Sequence, residues 1–169
     1  MINKLQFFIK SSHEKSVKKL LNNATKACYL LRKGLLSNLN ICDYKYDISI
    51  AVRELGLDKE LVAQLVDDYV AQVMKAIVQF EDYLTTLNHL QNNHDKLDYT
   101  AFRELAHKNL GVARNLRIKD AEILLSELMK KDNLDYLLAC LEALKACAII
   151  LSPKCAYDTL KLIEVKNSL

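Results

Sequence analysis

Residues 58–84 read DKELVAQLVDDYVAQVMKAIVQFEDYL, and their apolar residues recur at steps of three and four. That spacing places the apolar residues on one face of an α-helix and leaves most charged residues on the other faces. The apolar face comprises Leu61, Val62, Leu65, Val66, Tyr69, Val73, Met74, Ile77, Phe80 and Leu84. The stretch therefore predicts a long amphipathic helix, which Asp58 can cap at its start.

Similar helical spacing occurs in several further stretches, and short polar segments separate them. The 169 residues include only three Gly and one Pro, which argues against a sheet with many turns. The sequence therefore predicts an all-α fold, an up-and-down antiparallel four-helix bundle with an additional N-terminal helical extension. The predicted parts are a basic amphipathic extension at 1–42, the bundle at 43–152, and a C-terminal tail at 153–169, either helical or frayed.

Charge and hydropathy limit the classes of partner. Residues 1–45 contain 9 Lys or Arg and 2 Asp or Glu, whereas the remaining residues contain 15 and 19, for a net charge of +3. Few aromatic residues interleave with the basic ones, so nucleic acid is not the expected partner. No apolar run approaches the roughly 20 residues that span a bilayer, and the first residues lack a secretory apolar region. We therefore expect a cytoplasmic protein without membrane insertion.

The cysteines and histidines do not predict a metal site. The five cysteines, an odd number, contain no CxxC pair and are expected to be reduced thiols. Cys140 and Cys147 are seven residues apart, which predicts small core residues on one helix face. His89 and His94 are five residues apart around a polar turn, a poor spacing for a shared metal ion.

Residues 105–116, LAHKNLGVARNL, place a histidine on an otherwise ordinary amphipathic helix. His107 lies at or outside the border of the apolar stripe, and Gly111 follows one turn later. Glycine inside a helix costs about 1 kcal/mol relative to alanine, so its presence needs a reason. Two reasons are compatible with the residues: the backbone packs closely against a neighbour, or a bulky group must reach the imidazole across an open surface.

From Tyr46 onward the chain resembles the histidine-containing phosphotransfer (HPt) domains of bacterial two-component phosphorelays. The family motif reads roughly AHxLKGxAxNLG, and AHKNLGVARNLR, at residues 106–117, agrees with it at several positions. The agreeing residues are Ala106, His107, Gly111, Ala113, Asn115 and Leu116. The earlier stretch ELGLDKELVAQLVDDYVAQV also resembles the sequence that precedes this motif in the family. The resemblance covers about residues 46–151.

The resemblance implies a phosphocarrier rather than a self-sufficient catalyst. His107 would accept a phosphoryl group from an aspartate on a receiver domain of a response regulator, of a hybrid histidine kinase, or of both. The carrier would have no cofactor of its own, because the receiver supplies the Mg²⁺. The expected phosphate-binding and partner-binding surface comprises Gly111, Lys108, Arg103, Arg114 and Leu110.

Two departures from the motif leave other functions open. Leu110 stands where the family has Lys, and Asn109 stands where it has a core Leu, so a cation must come from Lys108, Arg103 or Arg114. One alternative is an adaptor, derived from an HPt domain, that binds a receiver or kinase without being phosphorylated. Another is an unrelated helical protein whose apolar stripe at 17–35 pairs with another chain, as in a homodimer.

Overall fold

The structure, a computed structural model, describes residues 2–43 and 45–169, with side chains from Lys10 onward. Within this described part the secondary structure consists of helices, which confirms the predicted all-α class. The helices are α1 (Ile2–Lys33), α2 (Ile48–Leu55), α3 (Lys59–Asn92), α4 (Thr100–Asn115), α5 (Lys119–Lys130), α6 (Leu134–Leu151) and α7 (Pro153–Asn167).

Several helix ends are set by single capping residues, among them Asp58, which the sequence predicts. The Asp58 side chain accepts a hydrogen bond from the backbone N–H of Leu61 at 2.8 Å at the start of α3. Asn133 caps α6 in the same way. Gly56 ends α2 with φ +65°, a left-handed conformation that glycine adopts without steric cost. These caps satisfy backbone groups that a helix end leaves unpaired.

Four helices form a closed arrangement around the main core. α3 contacts α4 and α6, and α5 contacts the same two helices from the other side. The connections within this set are short, as expected for antiparallel neighbours. The rings of Phe80 on α3 and Phe102 on α4 meet edge to face, with centroids 5.0 Å apart. The chain is thus a helical bundle in which α4 lies at the periphery and presents one side to solvent.

Four helices pack around α6. It contacts α1, α3, α5 and α7, and residues on several of its sides are buried. A helix surrounded in this way is apolar over most of its circumference. Nowhere in the described part of the chain does a helix have both the length and the apolar character needed to cross a membrane.

The predicted extension shares its core with the bundle. α1 packs against α6 and α7, and its Ala24 and Cys28 are buried. The connection that follows α1 buries Leu36 and Ile41 in the same hydrophobic cluster as the bundle residues. The tail at 153–169 is helical through Asn167, and this helix packs on α3 and α6. Both terminal segments therefore contribute to one continuous core.

A neighbouring pair of leucines tests this shared core. Leu36 is 0 % exposed, whereas Leu35 is 61 % exposed. We expect Leu36→Ala to lower the free energy of unfolding by about 2–5 kcal/mol because it leaves a cavity in the core. Leu35→Ala should change it by less than about 0.5 kcal/mol. Urea unfolding of both variants measures the difference, and equal stability of the two would show that the connection is a separate appendage.

Candidate functional site

The rotation of α4 decides which of its residues meet solvent. Its buried residues lie on one face, namely Phe102, Ala106, Asn109, Leu110 and Ala113. Its exposed residues include Glu104, His107, Lys108, Gly111 and Arg114. At 100° per residue, Glu104, His107, Gly111 and Arg114 fall within one sector of the helix surface. The imidazole of His107 therefore lies outside the core.

His107 is accessible and has no partner among the residues that the structure describes. Within the described part of the chain, neither ring nitrogen has a hydrogen-bond partner. The ring lines a shallow depression of about 460 Å³ together with Thr100, Arg103, Glu104 and Lys108. A neutral imidazole in this situation keeps the lone pair of one nitrogen available to an incoming group.

Gly111 leaves the surface beside His107 open. A Cβ atom added at this glycine would meet no heavy atom within 4 Å. Close packing within the chain therefore does not explain the glycine. Gly111 lies about 6 Å further along the helix axis than His107, so it keeps the next turn of that face free of side-chain atoms.

A polar contact in the interior fixes α4 against α3. The Asn109 carbonyl oxygen accepts a hydrogen bond from the Gln72 side-chain amide at 3.1 Å, and the Asn109 amide donates to the Leu105 backbone oxygen at 2.9 Å. Asn109 is almost fully buried, so both of its polar ends need such partners. This departure from the family motif is thus accommodated by a hydrogen bond between two helices.

Three cations lie near His107 and differ in their freedom. Arg103 forms an ion pair with Asp132 and places its guanidinium over the Tyr99 ring, 5.1 Å from the centroid. Lys108 and Arg114 are exposed and have no ion-pair partner among the described residues. Lys108 lines the same depression as His107, whereas Arg114 does not. Lys108 is the cation best placed to meet an anion bound beside the imidazole.

Leu110 does not belong to the predicted partner-binding surface. Its side chain is only 3 % exposed and is part of the hydrophobic core. The reason is its angle on the helix: three residues from His107 turns the side chain about 60° toward the buried face. A partner that docks on His107 would not contact this side chain.

Leu110→Lys tests this assignment. We expect the variant to lose about 2–5 kcal/mol of unfolding free energy, because core packing is lost and a charge must be buried or must displace its neighbours. Arg114→Leu, an exposed change on the same helix, should alter stability by less than about 0.5 kcal/mol. Thermal or urea unfolding provides the comparison. A Leu110→Lys protein as stable as the wild type would mean that this position can present a cation to solvent.

The structure also assembles a cluster that sequence reasoning missed. The Sγ atom of Cys147 on α6 lies 4.0 Å from that of Cys28 on α1 and 3.8 Å from that of Cys42 in the connection after α1. Asp120, in the first turn of α5, lines the same cavity as Cys42 and Cys147. No spacing rule could have found these residues, because 105 and 119 residues separate Cys147 from the other two thiols.

The ionisation of this cluster is strongly altered. Hydrogen bonds from Cys147 and then from Cys42 lower the pKa of Cys28, and the contact with Cys28 raises the pKa of Cys147. Burial and, to a smaller extent, the charge of nearby Cys42 raise the pKa of Asp120 to about 6. Sharing of a proton among close thiols favours one thiolate and disfavours a second.

No family model matches this sequence, and comparisons with curated proteins and with solved structures also find no match. The resemblance to HPt domains therefore rests on residues 106–116 and on the order of the surrounding helices.

Proposed function

We propose that this protein is a histidine phosphocarrier of a two-component phosphorelay and that His107 accepts and passes on the phosphoryl group. The observation that carries the proposal is the exposed imidazole without an internal partner, on an open face of a bundle helix. The partners would be receiver domains of a response regulator or of a hybrid histidine kinase, which act in the cytoplasm. The closed arrangement of α3 to α6 is compatible with a four-helix HPt bundle.

The transfer would need little from the carrier beyond an accessible nucleophile. A ring nitrogen of His107 attacks the phosphorus of the receiver's phosphoaspartate, the N–P bond forms, and the P–O bond to the aspartate breaks. The aspartate leaves as a carboxylate, and the proton of the imidazolium formed passes to water. The reverse sequence delivers the phosphoryl group to a second receiver. A Mg²⁺ ion bound by the receiver would supply the charge neutralisation that both steps need.

The surroundings of His107 support this role electrostatically and sterically. Lys108 can approach the phosphoryl oxygens from the depression that it shares with His107, and Arg103 adds positive charge from the preceding turn. The bare backbone at Gly111 gives the receiver surface room to approach the ring. In the described part of the chain no carboxylate forms a hydrogen bond or an ion pair with His107.

A second candidate function is an adaptor that binds a receiver without accepting phosphate. The observation that favours it is the burial of Leu110, because the position of the family's Lys cannot supply a cation here. The two functions use the same face of α4 and differ only in whether the N–P bond forms. An assay that follows transfer of labelled phosphate to the protein therefore distinguishes the two functions, whereas an assay of receiver binding alone does not.

The third hypothesis, pairing through the N-terminal stripe, is not favoured by the packing of α1. Ala24 and Cys28 of that stripe are buried, and Leu20 and Leu31 pack partly against the bundle core. Most of the stripe is thus covered by the protein's own helices, whereas Leu35 at its end is exposed. The apolar residues that α1 leaves exposed, Tyr29 and Leu30, lie beside it.

Label transfer to His107 tests the carrier. Purified receiver domains would be phosphorylated with labelled acetyl phosphate in Mg²⁺ and then mixed with the protein. We expect label on the wild-type protein and none on His107→Gln, because glutamine lacks the nucleophilic nitrogen. The matched control is His89→Gln, which changes an exposed histidine on α3 and should accept label normally.

Binding must be measured beside labelling. If wild type and His107→Gln both bind the phosphorylated receiver and neither takes up label, the adaptor is the correct function. If neither binds any receiver of a complete panel, both proposals fail.

Gly111→Ala should separate stability from function. The added methyl group meets open space, so we expect the helix to gain about 0.5–1 kcal/mol of unfolding free energy. The same methyl group would stand where the receiver approaches, so label transfer should slow, and Gly111→Gln should slow it further. Urea unfolding and transfer rates measure the two effects. Unchanged transfer in Gly111→Gln would show that no partner approaches over this glycine.

A further inference from the structure

The three clustered thiols have the spacing of ligands around one metal ion. The Sγ atoms of Cys28, Cys42 and Cys147 all lie within 4.8 Å of one another, and the two contacts to Cys147 are 3.8 and 4.0 Å. Zinc–sulfur bonds are about 2.3 Å, so two sulfurs at corners of a zinc tetrahedron lie about 3.8 Å apart. The thiols are therefore close to the positions that a bound ion requires. They are well beyond the disulfide bond length of about 2.05 Å.

Asp120, which lines the same cavity as Cys42 and Cys147, is the candidate for a fourth ligand. Its carboxylate is not among the donor atoms that lie within 4.8 Å of one another, so this side chain would have to turn toward the ion. The residue is only 8 % exposed, and its Oδ1 atom is buried without a hydrogen-bond partner. A buried carboxylate oxygen without a donor is costly, and a coordinated cation would satisfy it. The position of Asp120 in that cavity places it next to the cluster. Three thiolates with one carboxylate form a four-coordinate donor set suited to zinc.

The four side chains come from four separate parts of the fold. Cys28 lies on α1, Cys42 in the connection after it, Asp120 at the start of α5, and Cys147 on α6. The backbone at Cys42 has φ +64°, a conformation that residues other than glycine seldom adopt. An ion held by all four would join the N-terminal segment to the bundle.

Nearby cations offset the negative charge that the ligands would bring. Arg32 lies one turn after Cys28 and forms an ion pair with Asp43, next to Cys42. Its guanidinium thus places a positive charge beside the thiol cluster. Lys45 lines the cavity that contains Cys42, Asp120 and Cys147. Each thiol would release its proton to water as its sulfur binds the ion.

We propose that Cys28, Cys42, Cys147 and Asp120 bind one zinc ion in a structural site. Four protein ligands leave no open position for a substrate, so the ion stabilises the fold rather than catalysing a reaction. The site is separate from His107 and does not depend on the phosphocarrier function.

Metal content of the full chain tests the proposal. The protein would be purified with its thiols reduced, loaded with Zn²⁺, freed of excess ion by gel filtration, and analysed by elemental mass spectrometry. We expect one zinc per chain in the wild type. Cys147→Ser should weaken zinc binding by at least about tenfold, and Asp120→Asn should weaken it by a similar or smaller factor. Cys155→Ser is the matched control, because its thiol lies outside the cluster and donates to a backbone oxygen that a serine hydroxyl can also reach.

A second measurement uses the wild-type protein, so its result does not depend on whether the variants fold. Titration of the wild-type protein with Co²⁺ should produce the absorption of thiolate–cobalt charge transfer, and Zn²⁺ should displace it. Zinc should also raise the thermal midpoint of the wild type and of Cys155→Ser.

Three results would overturn the proposal. One is the absence of bound zinc and of the cobalt absorption in fully reduced wild-type protein. Another is equal zinc binding by Cys147→Ser and Cys155→Ser. The third is a wild-type protein that excludes zinc and forms a Cys147 disulfide with Cys28 or Cys42 under mild oxidation, which would make the cluster a redox pair.

Discussion

The exposure of His107 depends on the fixed rotation of α4 about its own axis. Apolar burial of residues such as Ala106 and Leu110 holds one face of the helix against its neighbours. The hydrogen bond between Asn109 and Gln72 adds a directional contact, which apolar packing alone does not provide. A rotation of about 60° in one sense would expose Leu110, and the opposite rotation would carry His107 to the buried position that Leu110 now occupies. The accessible imidazole is thus a consequence of the packing on the far side of the same helix.

This arrangement explains how the proposed carrier could work without the motif lysine. The charge near His107 comes from residues that reach the shared depression from different angles, and Arg103 is held there by Asp132 and Tyr99. An arginine held in this way loses less conformational freedom when it meets an anion than a free side chain does. Lys108 has no ion-pair partner among the described residues, so its side chain is free to turn toward a phosphoryl group. Arg103 and Lys108 together would then supply the positive charge that the motif lysine supplies in the family.

Much of the fold could be predicted from the sequence, because helical periodicity and capping residues are local. The cap at Asp58, the stop at Gly56 and the exposure of His107 all follow from spacings of a few residues. Leu110 was wrongly assigned to the partner-binding surface because it lies at the edge of the apolar stripe. At that edge the shape of the neighbouring helices decides whether a side chain is buried. The contribution of the connection at 34–47 to the core was harder to predict, because this segment contains polar residues typical of a loop. The thiol cluster could not be predicted from the sequence, because it depends on how three segments that are distant in the chain pack together.

The burial of Leu36 and Ile41 also bears on how this chain can be recombined with others. The face of α4 that carries His107 is only one part of the surface, so a fusion could be designed to keep the bundle alone. Here, removal of the residues before α2 would expose the apolar surface of α6 against which α1 and its connection pack. Domain shuffling that keeps the histidine face would therefore have to carry the first helix with it, so the whole span from α1 to α7 would be exchanged as one unit.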